Sequence, residues 1–158
     1  MSGIKNAELS ALLARQIGHA DRIFKNTQEA VSRDVPLLGR TGNAAVLVAG
    51  LLENYYSCLE TAFQKISQHF ENHLESSRWH ADLLDKMTLK IEGVRIPAVS
   101  EGNFPALQEL QKFRHFRRYY FETEYDWDRL DYLCKKLRDA HPRALEDLER
   151  FREFLARL

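Results

Sequence analysis

Apolar side chains recur at intervals of three and four along nearly the whole chain. Leu9, Leu12, Leu13, Ile17, Ala20, Ile23, Phe24, Thr27 and Val31 step in this way, which predicts an amphipathic helix over about residues 5 to 32. Arg15, Asp21, Arg22, Lys25 and Glu29 form its polar face. Asp34, Pro36, Gly39 and Gly42 are expected to end it in a loop, with Gly42 and Asn43 opening the next helix. From Asn43 to Asn72 the apolar set is Val46, Val48, Leu51, Leu52, Tyr55, Leu59, Ala62, Phe63, Ile66 and Phe70. The first half of this segment is apolar nearly all round, which implies burial against more than one neighbour. Thirty residues rise about 45 Å, so both helices are long enough to run the length of a bundle.

Ser76 and Ser77 are suited to cap a shorter helix that carries Trp79, Leu83, Leu84 and Met87 and ends near Ile91. Residues 92–102 then break the pattern, with Pro97, Gly93 and Gly102, and leave room for a brief extended piece. Pro105 after Asn103 and Phe104 places the start of a fourth helix, which runs through Leu107, Leu110, Phe113, Phe116 and Tyr120. Asp126 caps a last helix with Leu130, Leu133, Cys134, Leu137, Leu145, Leu148, Phe151, Leu155 and Leu158. The pair His141-Pro142 falls midway along it and is expected to kink or split it. No stretch alternates with period two for long enough to predict a strand. The expected architecture is all-α, an up-and-down bundle of four to six helices forming one domain over residues 1–158.

Composition changes this picture little. Lys plus Arg and Asp plus Glu both total 23, so only local clustering can indicate a polyanionic partner. Cys58 and Cys134 both sit within helical apolar patterns and are expected to be reduced core residues. The charged N-terminus lacks the apolar run of a signal peptide. The most apolar segment, Ala44 to Leu52, is far short of the roughly 20 residues that span a bilayer, and a cytoplasmic location is the expectation. His69 and His73 share a helix face without a matching carboxylate or thiol, so neither a metal nor a cofactor is expected.

One stretch departs from the even charge balance. Residues 111–121 place Lys112, Arg114, His115, Arg117 and Arg118 among Phe113, Phe116, Tyr119, Tyr120 and Phe121. Cations hold phosphate oxygens and aromatic rings stack on bases, which suits a polyanionic ligand. The same spacing also describes a helix that buries Phe113, Phe116 and Tyr120 and leaves the arginines solvated at its negative end. Both readings stay open on composition alone. On a regular helix residues 114 and 118 nearly overlie, 114 and 115 diverge by about 100° and 114 and 119 by about 140°. Arg114 and Arg118 are therefore placed to grip one phosphate together.

Residues 54–70, 76–87 and 113–130 resemble the HEPN superfamily, closest to the HepT-like toxins of prokaryotic toxin–antitoxin pairs, and the long first helix extends the likeness over most of the chain. The resemblance implies a helical bundle that forms a homodimer. It also implies a metal-independent endoribonuclease with an Arg-x-x-x-x-His motif, usually with Asn or His directly after the arginine. A tyrosine two residues beyond the motif histidine is the site modified by a partner nucleotidyltransferase, the MNT antitoxin. Carried across, Arg114 matches the motif arginine and His115 the residue after it. Tyr119 occupies the histidine position and Phe121 the modifiable tyrosine position.

Metal-free RNA cleavage needs a base for the 2′-OH, a cation for the phosphorane and an acid for the leaving oxygen. Arginine suits the second role. Tyrosine ordinarily ionises near pH 10 and makes a poor base at neutral pH. The resemblance thus implies Arg114, His115 and Tyr119 as catalytic candidates, with His115 of one subunit serving the site of the other. Lys112, Arg114, Arg117 and Arg118 are the implied RNA-binding set, and Tyr119 or Tyr120 the substitute for modification. A domain without catalysis, acting as a dimerising partner of the nucleotidyltransferase, is the alternative.

Overall fold

The computed structural model describes residues 2–71, 79–120 and 124–158. The helices are α1 (Ser2–Glu29), α2 (Val35–Leu38), α3 (Gly42–Phe70), α4 (Trp79–Met87), α5 (Phe104–Tyr120) and α6 (Trp127–Arg157), with a π-helical turn over Ala30–Asp34 between the first two. The protein is an all-α bundle, as the apolar periodicity predicts. The Ser76 and Ser77 cap lies outside the described residues.

The first helix does not stop at a loop where Asp34 and Pro36 suggest it. Val35 N–H donates to Ala30 O, an i to i−5 bond that widens the turn just ahead of Pro36. A proline ring in a regular helix collides with the carbonyl four residues back, and the wider turn lets the chain stay helical as far as Leu38. Gly39, at φ 81°, then ends it in a backbone conformation that glycine adopts without strain. Thr41 caps α3, its hydroxyl accepting from Ala44 N–H at 3.1 Å.

α3 is the axis of the bundle and packs against α1, α4, α5 and α6. Its first half buries Ala44, Ala45, Val48, Ala49, Leu52, Tyr55 and Tyr56, but not all round, since Leu47 is 41% exposed. Small residues there let neighbouring backbones approach closely. Leu9 and Leu13 of α1, Leu107, Leu110 and Phe113 of α5, and Leu133, Leu137, Leu148 and Phe151 of α6 complete the core.

α6 is neither split nor ended at Pro142, which sits inside a continuous helix. The tertiary contacts around it outweigh the lost backbone bond. Leu137, Ala140 and Ala144 are buried on both sides of the proline. His141 links three helices: Nε2 lies 3.0 Å from Asp21 Oδ1 on α1 and Nδ1 lies 2.7 Å from the Tyr55 hydroxyl on α3. A carboxylate only accepts, so Nε2 carries the proton and the neutral ring accepts from the tyrosine at Nδ1. Phe24 meets the imidazole edge-on at 4.2 Å.

The segment after α4 holds one isolated antiparallel bridge, Ile91 with Arg95, which closes a tight turn. Arg95 staples it to α3. Its guanidinium donates to Glu71 Oε1 at 2.7 and 3.1 Å and to the Lys86, Leu89 and Ile96 carbonyls. Such a buried cation is tolerable only because its donors are satisfied. Cys58 and Cys134 are buried and free, and burial pushes both thiols up to about 11. No helix among the described residues is long and apolar enough to cross a membrane.

Candidate nucleic-acid interface on α5

The face that α5 turns toward α3 carries charge as well as hydrocarbon. Leu107, Leu110 and Phe113 are buried, and so are Gln111 and Arg114. The Arg114 guanidinium makes a two-pronged contact with the Glu60 carboxylate, Nη1 to Oε1 at 2.6 Å and Nη2 to Oε2 at 2.8 Å. Both side chains are almost fully enclosed, 4% and 7% exposed. The Tyr56 ring lies 5.2 Å from the guanidinium carbon. Burial, and then the Glu60 charge, push the Tyr56 hydroxyl far above its ordinary range, so it stays a neutral neighbour of the pair.

Arg117 repeats the arrangement nearer the surface. Its Nη1 donates to Glu53 Oε2 at 3.0 Å and its Nε to the Tyr125 hydroxyl at 3.1 Å. Gly50 makes room for it, because a Cβ there would stand 3.3 Å from Nη1. Arginine numbers rise from 114 to 117 as glutamate numbers fall from 60 to 53, so α5 runs antiparallel to α3. The joint grip of Arg114 and Arg118 on a phosphate, expected from helical angles, is not what the bundle presents. Arg114 faces inward with Phe113 because Glu60 waits there, and Arg118 faces outward.

The outer face of α5 is different. Lys112, His115 and Arg118 are exposed, and Arg118 makes no ion pair among the described residues. Tyr119 is 62% exposed and Phe116 36%. The His115 and Tyr119 rings lie 4.4 Å apart and 33° from parallel, one turn apart on the helix, forming a tilted two-ring platform. The side chain of Tyr120 and the whole of Phe121 lie outside the described residues.

Glu53, Tyr56 and Glu60 were missed in the sequence. A signal was present: two acids seven residues apart lie on one face of a helix whose neighbouring positions are mostly apolar, and a carboxylate placed there needs a cationic partner. His69 Nε2–H donates to Asn6 Oδ1 at 2.9 Å, and burial, then Lys5, hold its pKa below the ordinary value. His73 lies outside the described residues. Among those described, no group of three His, Cys, Asp or Glu side chains is placed to hold a metal ion.

The family profile described as HepT-like protein matches residues 47–155. This span runs from within α3 to Leu155 near the end of α6 and contains both arginine–glutamate pairs. No curated protein and no solved structure matches the chain. The match covers more than half of the sequence, so the chain belongs to the HepT-like family and its bundle is a HEPN-type domain.

Proposed function

We propose that this HepT-like domain is one half of a toxin–antitoxin pair and holds RNA along the outer face of α5 without cutting it. The observation that carries the reading is the split within one helix. The motif arginine, Arg114, is enclosed and bound by Glu60, while Lys112, His115, Arg118 and Tyr119 stand in solvent. A guanidinium held by two carboxylate oxygens is not available to a phosphorane, and releasing it would strand a buried carboxylate at a cost of several kcal/mol. Tyr119 at the histidine position removes the family's base. Exposed cations beside a two-ring platform are suited to phosphates and unpaired bases, which is binding chemistry.

The second reading is a metal-independent endoribonuclease. It is favoured by the exposed His115 imidazole against the Tyr119 ring, which a homodimer built on α5 would bring to a shared cleft. Under both readings the nucleotidyltransferase antitoxin is the proposed protein partner, and exposed Tyr119 is the proposed hydroxyl for it to modify, with Tyr120, next in the sequence, as the alternative.

The deciding experiment incubates the purified protein with total RNA in the presence of a chelator and follows binding and cleavage together. Wild type is expected to bind in a salt-sensitive manner and leave the RNA intact, and Arg118→Ala to bind more weakly. Cleavage that disappears in His115→Ala or Tyr119→Phe would overturn the binding-only reading in favour of the nuclease. Both substitutions are at exposed positions, so loss of activity would not be mistaken for unfolding. RNA binding indifferent to salt and to Arg118 would reject both readings.

A further inference from the structure

A cavity of about 300 Å³ opens where the end of α5 meets the start of α6. Phe113 and Leu130 are buried and Phe116 and Tyr125 complete the apolar lining, while exposed Glu124, Asp126 and Arg129 line its open side with two carboxylates against one guanidinium. Phe113 and Tyr125 have ring centroids 5.9 Å apart, and the Arg117 Nε–H donated to the Tyr125 hydroxyl helps to hold that ring in place. The walls are therefore anchored to α3 through the Arg117–Glu53 pair.

Size, lining and charge together select the occupant. The volume lies at the lower end of the ~300–1,000 Å³ range of small-ligand pockets, enough for one flat ring system and little more. Three aromatic side chains favour a π-face. The Asp126 carboxylate accepts from Asp128 N–H at 3.1 Å through Oδ1. It is an acceptor only, so it favours an amino group and repels a phosphate. The phosphate must stay outside, where Arg129 at the mouth and Lys112 on the same stripe of α5 as Phe116 can meet it. A nucleotide fits these demands base first. Adenine, cytosine and guanine carry an exocyclic amine, whereas uracil presents carbonyls at the corresponding positions and is the poorest match.

We infer that this cavity is a base-selective pocket that takes one amino-bearing nucleobase of a single-stranded RNA; that the base belongs to an RNA strand rests on the reading above. The strand would pass over the His115–Tyr119 platform, and the pocket would supply a base preference that phosphate contacts alone cannot give.

Two measurements on the full chain separate the pocket from the strand. The first titrates uncharged adenosine, cytidine and uridine into the ¹⁵N-labelled protein. The second measures anisotropy of ten-nucleotide oligo-A, oligo-C and oligo-U RNA. Adenosine and cytidine are expected to shift the amide signals of Phe113, Phe116, Tyr125 and Arg129, with uridine at least fivefold weaker. Phe116→Ala should weaken nucleoside binding at least tenfold. Asp126→Asn keeps a side-chain acceptor for the α6 cap and should reduce the discrimination against uridine, which Glu124→Gln combined with it should erase. Equal binding of uridine, indifference to Phe116→Ala, or no shifts at those four residues would overturn the pocket. If the pocket is silent while Arg118→Ala still weakens all three oligonucleotides equally, the pocket falls and the RNA reading stands. Nucleoside binding without oligonucleotide binding upholds the pocket and rejects the strand.

Discussion

Arg114 is where the sequence and the fold pull apart most. Seen along the chain it is one of four cations in a row; in the bundle it is a strut, enclosed with Glu60 and Tyr56. A buried ion pair contributes little net stability, yet removing one partner leaves the other charged and unsolvated. Glu60→Ala is therefore expected to lower unfolding free energy by about 3–5 kcal/mol in urea titrations. The double replacement Glu60→Leu with Arg114→Met should recover most of that loss. Arg118, one turn further on, has the opposite profile. Arg118→Ala should change stability by no more than about 0.5 kcal/mol and lower the slope of log affinity for single-stranded RNA against log salt by about 0.7. A large stability loss at 118, or none at 60, would show the inward and outward roles to be misassigned.

At the scale of the helix, α6 carries a proline that its own propensity would reject, and its neighbours keep the helix continuous through it. His141 is central to this. Burial lowers its pKa below the ordinary 6.5, and the hydrogen bond from its Nε2–H to Asp21 opposes that only in part. The groups that face it are Tyr55 from α3 and Asp21, Lys25 and Phe24 from α1. A histidine with a depressed folded pKa stabilises the fold fully above its unfolded value, and that contribution is lost as pH falls through the folded value. Asp21 is held low by His141 and then by Lys25, so its own contribution disappears only below the ordinary carboxylate range. Stability should thus decline from pH 7 toward pH 5. In His141→Gln the decline should be shallower, the remainder coming from His69, whose pKa burial also lowers. Urea midpoints across that window check the sign, and a steeper decline in the variant would contradict it. The π turn at Ala30–Asp34 follows the same logic at the other end of the bundle, because the backbone there adapts to Pro36 while the packing of α1 against α3 continues.

For the whole molecule, charge is balanced at 23 against 23, so any attraction for RNA is local to the outer face of α5 and not a property of the net field. If α5 faces its own copy, as the homodimer proposal requires, sedimentation should give twice 18.5 kDa, and Tyr119→Glu in the exposed stripe should shift the population toward monomer. A monomeric wild type with full RNA affinity would remove the shared groove. The sequence by itself determined the helical class, the packing of α3 against more than one neighbour, the Asp126 cap, and the HepT-like kinship, because the three-to-four-residue period and local capping chemistry are written in neighbouring residues. It also marked α5 as the chemically unusual helix. Which arginines of α5 face inward, that His141 bridges three helices across Pro142, and that Phe116 walls a cavity with Tyr125 were decided only by tertiary structure. Each depends on a partner far along the chain, Glu60 for Arg114 and Asp21 for His141, and the direction in which a charged side chain points is set by where its counter-charge is buried.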